Sequence, residues 1–376
     1  HSLEYLTSKS QMKDCFAVIA GGGTAGHLHP GLAVANSLVD SGIEKKSVIF
    51  LGSEKEIDQR LVSAENFDLV TLPGAGIQKR NPISVLKTLA LVVKATWLAA
   101  KLYKSCKPKI ILALGGYASV PGAIAGLITK VPVVLHEQNA VPGRANKLIS
   151  KWAKRSAVSY EGTDLKKKVL TGNPVRREIS QIRLEDKGDD RRKLGIPDQN
   201  QLVVVTGGSL GARRINEAII DAIPKLNEIE NLSIYHIIGR RDWEVLTIPE
   251  LVEFIDYKPI EYETDMPAVL NAADLIISRA GGSITAEISV VGVPAVLVPL
   301  PQAPGDHQRK NANSLVDAGA AVIIDDSECT GDNLVNAIKE LLQNSLRLET
   351  MAKKSRKAGN RAAAKMVAAV MLKEAK

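Results

Sequence analysis

The chain has 376 residues, and its 49 Lys and Arg against 41 Asp and Glu give a net charge of +8. This length exceeds one ordinary domain and is comfortable for two, each able to bury a core. Hydrophobic residues at 45% and charged residues at 24% are typical of a soluble globular protein. The excess of positive charge favours anionic partners, which include nucleotide phosphates, nucleic acid and an acidic membrane surface.

The cysteines and the first residues indicate the setting of the protein. Residues 1–11 are interpreted as an added leader before a start at Met12, since they lack the apolar core of a signal peptide. The cysteines are far apart and odd in number, which argues against a disulfide framework or a metal cluster and favours a reduced, cytoplasmic setting. They are Cys15, Cys106 and Cys329.

Short apolar runs alternate with segments of helical length, such as 30–41 and 284–291, along almost the whole chain. This β-α-β alternation predicts parallel sheets covered by helices on both faces. The uncharged stretch 110–129 is long enough to span a membrane, but its glycines favour a strand, a turn and a short helix. The candidate strands are residues 16–20, 47–51, 110–114, 132–135, 202–206, 233–238, 275–278 and 295–298.

The two halves of the chain resemble each other. Residues 110–138 and 275–302 both consist of an apolar run, a Gly-Gly pair, a helical segment and a second run that begins with Val-Pro. Each half also opens with an apolar run that leads into glycines, at 17–27 and at 203–213. We therefore predict an α/β fold of two doubly wound parallel-sheet domains that face each other across a ligand-binding cleft. The boundary is expected near residues 172–174.

Four glycine turns follow predicted strands, at Gly21–Gly26, Gly115–Gly116, Gly207–Gly211 and Gly281–Gly282. Such a turn lets a phosphate or sugar approach backbone N–H groups at the start of a helix. Any one of them is explained equally well by tight strand-to-helix packing. Four at equivalent places favour a cleft for anionic or sugar ligands.

A nicotinamide-dependent oxidoreductase is an alternative, because Gly21, Gly23 and Gly26 match G-x-G-x-x-G. This fold requires an acidic residue at the end of the second strand, and the only one near that position, Glu54, lies just beyond the strand. Hydride transfer would also leave the second half without a role. This alternative is ranked last.

Several polar residues are predicted to converge on the cleft. His27 follows the first glycine turn and could act as a general base, with helix capping as the alternative. Gln138 and Asn139 follow a buried strand and suit the hydroxyl and acetamido groups of an amino sugar. Glu287 could accept hydrogen bonds from both ribose hydroxyls, or it could only interact favourably with the helix dipole. Arg279 could bind a diphosphate or contact the other domain. No Asp-x-Asp arrangement suggests a metal, and none is expected.

A long stretch of the first half is basic and apolar, with no Asp or Glu between Asp68 and Glu137. Apolar residues around Trp97 interleave with lysines, which suits an anionic bilayer surface. An amphipathic core helix with a solvated basic face is the alternative, and RNA is ranked low because no nucleic-acid module is recognisable. The basic residues are Lys79, Arg80, Lys87, Lys94, Lys101, Lys104, Lys107, Lys109 and Lys130.

Six motifs in order along the chain resemble those of the MurG family of glycosyltransferases, and the resemblance covers residue 14 to the end. The family has the GT-B architecture of two facing Rossmann-like domains. The resemblance implies an acceptor and membrane-surface domain at 12–173, a UDP-N-acetylglucosamine domain at 174–355, and a last helix at 356–376 that packs back on the first domain. The motifs are GGGTAGHLHPGLAVA (21–35), LGGYASVPGAIA (114–125), HEQNAVPGRANK (136–147), TGNPVR (171–176), GGSLGARRIN (207–216) and SRAGGSITAEI (278–288).

The resemblance also implies roles for particular residues. His27 resembles the proposed catalytic base, and Glu287 resembles the carboxylate that binds ribose. The acceptor contacts are Thr24, His27, Tyr117 and Gln138. The donor contacts, including the candidates named above, are Thr24, Gly26, Asn139, Arg176, Ser209, Tyr262, Glu263, Arg279, Ser283, Ile284, Glu287 and Gln308. Ala25 and Leu210 depart from the family pattern beside two of the turns, and Ala25 requires a negative φ.

The implied activity is inverting transfer of N-acetylglucosamine from its UDP donor to undecaprenyl-pyrophosphoryl-N-acetylmuramyl-pentapeptide (lipid I). The product is the lipid-linked disaccharide (lipid II) of peptidoglycan synthesis, on which cell shape and division depend. No cofactor is expected, and the location implied is the cytoplasmic face of the cell membrane. The alternatives are another GT-B enzyme of UDP-sugars, either a glycosyltransferase or an epimerase, and a non-catalytic membrane protein that senses a UDP-sugar.

Overall fold

The structure is a computed structural model that describes residues 15–74, 82–208, 210–249 and 255–375, with the side chains of residues 82–86 excepted. The expected leader at 1–11 lies outside the described residues. The chain divides into two compact units, which comprise residues up to 177 together with those from 362 onward, and residues 178–361. The described cysteines are all buried and free.

The first unit is a seven-stranded parallel sheet between helices. Its strands are β1 (Ala17–Ala20), β2 (Val48–Ser53), β3 (Asp68–Leu72), β4 (Ile110–Ala113), β5 (Val133–Glu137), β6 (Arg155–Val158) and β7 (Lys168–Leu170). Its helices are α1 (Ala25–Asp40), α2 (Glu56–Ala64), α3 (Pro82–Cys106), α4 (Ser119–Thr129), α5 (Arg144–Ile149) and, at the end of the chain, α15 (Ala363–Glu374).

The strand order of this sheet is β3-β2-β1-β4-β5-β6-β7. Ala17 of β1 pairs with Val48 on one side and with Ile110 on the other. The order therefore reverses between β1 and β4, and ligands of doubly wound sheets bind outside the carboxyl ends of the strands at such a point.

The second unit repeats this plan with six parallel strands in the order β10-β9-β8-β11-β12-β13. Its strands are β8 (Gln201–Thr206), β9 (Leu232–Ile237), β10 (Asp256–Ile260), β11 (Leu275–Ser278), β12 (Ala295–Leu297) and β13 (Ala321–Ile323). Its helices follow α6 (Arg177–Gln181), which joins the units, and are α7 (Lys187–Lys193), α8 (Arg213–Ala222), α9 (Arg240–Trp243), α10 (Met266–Ala272), α11 (Gly282–Val291), α12 (His307–Asp317), α13 (Gly331–Leu342) and α14 (Ser345–Ala358). The reversal here lies between β8 and β11.

The core of the first unit has a layer on each face of the sheet. Along β1, Val18 and Ala20 join one apolar cluster, whereas Ala17 and Ile19 join the other, because successive strand side chains point to opposite faces. Both layers exclude water from the central strands, as expected for a parallel sheet. The last helix, α15, packs against α1 and places Val367 and Met371 in the second cluster.

The predicted fold of two doubly wound α/β domains is confirmed, and all eight candidate strands are present with ends shifted by a few residues. The uncharged stretch 110–129 forms β4 and α4. Within the described part of the chain, no helix is both long and apolar enough to cross a membrane. One local boundary differs from the prediction, because α1 begins at Ala25 and encloses Pro30, whereas the predicted helical segment began at residue 30.

Two buried histidines predict that acid destabilises the protein. His136 and His236 are 0% exposed, and burial lowers their pKa values to about 4 and about 3. Both are therefore neutral in the folded state, whereas an unfolded histidine takes up a proton near pH 6.5. The stability that each contributes is complete above pH 6.5 and is lost as the pH falls toward its folded pKa.

Between pH 7.5 and 4.5 we expect the free energy of unfolding to fall by about 3 kcal/mol for each of these histidines. Urea denaturation across this range, with proton uptake on unfolding, measures the effect. Replacing His236 with asparagine should reduce that uptake by about one proton. An unfolding free energy that does not change between pH 7 and 5 would contradict the prediction.

Candidate functional site

In each unit the glycine turns lie where the strand order reverses. In the first unit, one turn joins β1 to α1 and a second, at Gly115–Gly116, joins β4 to α4. In the second unit, turns follow β8 and β11 in the same way. The predicted position of all four turns at the carboxyl ends of central strands is confirmed.

His27 lies in the first turn of α1 and is held by the residue that precedes the helix. Thr24 occupies the N-cap position with an extended backbone, and its Oγ1 lies 2.9 Å from His27 Nδ1. When Nδ1 carries the proton and donates it to Thr24, the other ring nitrogen, Nε2, is left as an acceptor. Ala25 is the first residue of α1 and has the negative φ that was expected of an alanine at this turn. Gly26 beside it is exposed.

The second turn forms the wall beside this imidazole. Gly115 and Gly116 have φ values of +90° and +76°, which side chains other than glycine rarely adopt. A Cβ at Gly115 would lie 3.2 Å from His27 Nε2, and one at Gly116 would lie 2.8 Å from the carbonyl oxygen of Gly22. Both glycines thus allow the two turns to approach closely around His27.

The electrostatics of His27 suit a base at neutral pH. Burial lowers its pKa below the usual 6.5, and the charge of Asp58 partly opposes that effect. The imidazole is therefore neutral at pH 7 and able to accept a proton. Sequence reasoning had placed no carboxylate near His27, because Asp58 follows the second strand and its neighbours in sequence give no sign of burial.

Asp58 braces the first glycine turn. It lies in α2, is 0% exposed, and accepts hydrogen bonds from the backbone N–H of Gly23 and of Ser53, both at 2.7 Å. The Ser53 hydroxyl donates a third at 2.9 Å. The Asp58 carboxylate is thus engaged by the turn and by the end of the second strand.

The polar segment after β5 is satisfied largely by the protein. Glu137 is 2% exposed and accepts hydrogen bonds from Asn139 N at 3.0 Å, Gly143 N at 3.1 Å and Asn146 Nδ2 at 2.7 Å. Gln138 is also buried, and its Nε2 donates to Leu114 O at 2.9 Å. Of the two predicted sugar contacts, Gln138 and Asn139, only Asn139 is half-buried. Asn139 is therefore better placed to reach a ligand.

Two further candidates of the first unit lie near this site. The Tyr117 hydroxyl, whose pKa is raised by burial, donates to Pro73 O at 3.1 Å. Arg176 lies near His29, whose pKa falls to about 4 mainly through burial and partly through the arginine charge.

In the second unit, the turn after β8 begins with an internal bond from Gly208 N to Thr206 Oγ1 at 3.1 Å. The candidate Ser209 lies outside the described residues, and Leu210 beside it is 65% exposed. A Cβ at Gly211 would lie 2.9 Å from Oδ2 of the fully buried Asp242. This carboxylate lies against the turn as Asp58 does in the first unit.

Gln308 has one amide atom fixed by the backbone. Its Oε1 accepts hydrogen bonds from Ala280 N at 3.2 Å and from Leu300 N at 3.0 Å. These two N–H donors determine the orientation of the Gln308 amide, because the opposite orientation would place its NH₂ group, also a donor, against them. The Nε2 group is thereby presented as a donor, which suits a sugar hydroxyl or an acetamido carbonyl oxygen.

Arg279, next to Ala280, is engaged within its own unit. Its Nη1 lies 2.6 Å from Asp326 Oδ1 and donates to Val298 O at 3.2 Å. Ser283 and Ile284 are half-buried in the first turn of α11, and Glu287 one turn later is 6% exposed. Of these candidates, Ser283 and Ile284 are placed where backbone and side chain can meet a phosphate at a helix N-terminus.

The last two candidates lie in the loop between β10 and α10. Tyr262 is 37% exposed, and the Arg240 guanidinium lies 4.6 Å from its ring centroid. The carboxylate of Glu263 accepts hydrogen bonds from Tyr235 Oη and from Asp265 N, each at 2.6 Å. The Glu263 side chain therefore holds the loop, which leaves its backbone for a base.

The comparisons with known proteins agree with this division into two units. Residues 17–158 match the glycosyltransferase family 28 N-terminal domain, and residues 202–367 match the glycosyltransferase family 28 C-terminal domain. A relative from Carboxydothermus hydrogenoformans is 38% identical over 365 residues, which are 94% of this chain and 96% of the relative. It is named UDP-N-acetylglucosamine–N-acetylmuramyl-(pentapeptide) pyrophosphoryl-undecaprenol N-acetylglucosamine transferase.

Solved structures show the same fold. The crystal structure of Acinetobacter baumannii MurG superposes with a TM-score of 0.74 at 30% identity, over 95% of this chain and 99% of that one. A UDP-GlcNAc 2-epimerase from Neisseria meningitidis, bound to UDP-GlcNAc, reaches a TM-score of 0.66 at 17% identity, over 95% of this chain and 100% of that one. The second likeness concerns the fold alone.

Proposed function

Because the chain belongs to glycosyltransferase family 28, we propose that it transfers N-acetylglucosamine from UDP-N-acetylglucosamine to lipid I. The acceptor atom is the muramyl 4-hydroxyl, and the product is lipid II. The observation that carries this proposal is the match along nearly the whole chain to relatives whose names state this reaction. The donor loops of the second unit and the histidine of the first supply the groups that such a transfer needs.

The first unit supplies the base. In an inverting displacement the muramyl 4-hydroxyl oxygen attacks the anomeric carbon while the bond from that carbon to the diphosphate breaks. His27 Nε2 takes the hydroxyl proton, and Thr24 holds Nδ1 so that the imidazole has a fixed orientation. The lowered pKa keeps His27 unprotonated at pH 7, which a base requires.

The second unit receives the leaving group. The bond electrons pass to UDP, and backbone N–H groups at the starts of α8 and α11 stabilise that charge. Gln308 donates to the sugar, while Glu287 accepts from the ribose. Arg176 contributes positive charge to the nucleotide, and Tyr262 stacks on the base.

The test is transfer of radiolabel from UDP-N-acetylglucosamine into a short-chain lipid I, with and without EDTA. We expect label in the lipid product under both conditions. Binding of UDP-N-acetylglucosamine without transfer would contradict the proposal and favour a sensor. Conversion of the free sugar nucleotide in the absence of acceptor would favour an epimerase.

Gln308→Glu tests the donor role of the amide. The variant keeps an Oε1 acceptor for Ala280 N and Leu300 N but replaces the Nε2 donor with a second acceptor. We expect KM for UDP-N-acetylglucosamine to rise roughly 10- to 100-fold, the cost of a lost hydrogen bond at a buried sugar. Arg309→Gln, at the neighbouring position, is the control and should change KM less than about two-fold. An unchanged KM in Gln308→Glu would exclude this contact.

We also propose that α3 attaches the enzyme to an anionic membrane at the cytoplasmic face. One face of this helix is packed into the core through residues such as Leu98 and Leu102. A second face exposes Leu89, Val93 and Trp97 by 59%, 62% and 58%, spaced four residues apart. A core helix with a merely solvated basic face would not expose large apolar side chains in this way.

Basic residues surround that apolar face. Lys87, Lys94, Lys101 and Lys104 are exposed on the same helix, and Lys101 Nζ lies 5.7 Å from the Trp97 ring centroid. Arg80 and Lys79 lie outside the described residues. Apolar side chains that enter the interface and lysines that meet lipid phosphates together support attachment.

Replacing Leu89, Val93 and Trp97 together with glutamine should weaken binding to phosphatidylglycerol-containing vesicles by about ten-fold or more, because the apolar area is lost. Co-sedimentation measures the binding, which should also weaken as salt is raised. Leu346→Gln, at a residue 73% exposed in the second unit, is the control. Equal binding by the triple variant and the unaltered protein would rule out this surface.

A further inference from the structure

Asp58 is a buried carboxylate with uncharged partners. Its three hydrogen bonds come from two backbone N–H groups and the Ser53 hydroxyl. None of these donors carries a positive charge, so no hydrogen-bonded partner compensates the charge of the carboxylate. Removing a charge from water in this way is costly, and a fold that needed only a turn could use a neutral acceptor.

The carboxylate is pressed against the turn that leads to His27. A Cβ at Gly22 would lie 2.1 Å from Asp58 Oδ2, so only glycine fits there. Gly23, which donates to Asp58, is followed directly by Thr24, whose hydroxyl holds His27. The position of the imidazole therefore depends on this carboxylate through the two consecutive residues Gly23 and Thr24.

Other charged or titratable groups lie around His27. Lys55 Nζ donates to Gly23 O at 3.0 Å, and Glu137 binds Asn146, which lies beside Gly115. His29 is on the same helix, with Arg176 near it. Asp58 is the group whose charge acts on the pKa of His27 against the effect of burial.

From this geometry we propose that Asp58 is a positioning residue for His27. Its carboxylate fixes the turn from which Thr24 orients the imidazole, and its negative charge stabilises the imidazolium that forms when Nε2 takes the proton of the muramyl 4-hydroxyl. Asp58 itself gains no proton. This resembles the way in which the aspartate of a serine-protease triad orients and stabilises its histidine, although here the path runs through backbone. The inference rests on the proposed function of His27.

Asp58→Asn tests the charge with little change of volume. We expect kcat to fall at least about five-fold at pH 7, because a less basic imidazole accepts a proton less readily. The acidic limb of kcat should also move to lower pH. A ¹³C-histidine NMR titration, with the His27 signal assigned by its absence in His27→Ala, should show a lower midpoint in Asp58→Asn. Ser53→Ala, which removes a hydrogen bond to Asp58 but not the charge, should leave the midpoint unchanged.

A folded Asp58→Asn protein with an unchanged His27 midpoint and acidic limb would overturn the inference. If that variant does not fold, Asp58→Glu keeps the charge and should keep the midpoint while lowering kcat. A lower midpoint in Asp58→Glu would then overturn it. The titration needs no turnover, so failure of the unaltered protein to transfer sugar would count against the proposed function alone.

Discussion

Replacing His27 with alanine is expected to lower kcat for transfer to lipid I by about 10²- to 10⁴-fold, the usual contribution of a general base. Binding of UDP-N-acetylglucosamine should remain, because most of the proposed donor contacts belong to the second unit. Steady-state kinetics with both substrates, together with calorimetric binding of the donor, measure the two effects. Equal loss of donor binding and of transfer would assign His27 to ligand binding instead.

The pH dependence provides an independent check on His27. Because burial lowers its pKa, the imidazole remains an effective base below pH 6.5, and the acidic limb of kcat/KM should lie below that value. Thr24→Val, which removes the bond to Nδ1, should lower kcat less than His27→Ala does, because the imidazole stays in place. An acidic limb that persists in His27→Ala would belong to another group.

Replacing Glu137 with alanine is expected to lower the free energy of unfolding by about 3 kcal/mol or more. The substitution removes the buried acceptor that Asn139 N, Gly143 N and Asn146 Nδ2 share, although Asn146 Nδ2 keeps its bond to His136 O. Loss of a buried hydrogen-bond partner costs roughly 1–3 kcal/mol. Urea denaturation measures the change. Glu161→Ala, at an exposed residue of the same unit, is the control and should alter stability by no more than about 0.5 kcal/mol.

Activity should fall in Glu137→Ala even at temperatures where the protein stays folded. Asn146 Nδ2, which Glu137 holds, lies 3.6 Å from the position of a Cβ at Gly115, the residue that lines His27. Loss of that contact frees the wall of the site to move. A variant with wild-type kcat at 15 °C would restrict the role of Glu137 to stability.

The central strands could be predicted from the sequence because they are buried on both faces and are therefore continuously apolar. Four of the five strands absent from the predicted set are sheet edges, namely β3, β7, β10 and β13. Edge strands are only partly covered, and Lys168–Leu170 shows this with two exposed residues of three. Lys168–Leu170 and Asp256–Ile260 also lack the continuous apolar run of a central strand, and Ala321–Ile323 is apolar but only three residues long.

The candidate site was predictable where glycine imposes a backbone requirement and not where a polar group depends on tertiary contacts. The four turns were placed correctly by their glycines. Gln138 and Asn139 were expected to meet a sugar, whereas Gln138 is buried and donates to Leu114 O, and the neighbouring Glu137 is satisfied largely by residues up to nine positions later. Asp58 was missed because its partner Gly23 lies 35 positions away, and no local pattern records that contact.

The last helix constrains how this architecture can be recombined. Since α15 follows the second unit but covers the core of the first, the second unit is in effect an insertion into the first. A hybrid that takes each unit from a different relative must draw its final 12-residue helix from the same parent as β1. Exchange of the second unit between relatives therefore requires two crossovers rather than one, and a single crossover near residue 177 would pair a helix with a core that it did not evolve to cover.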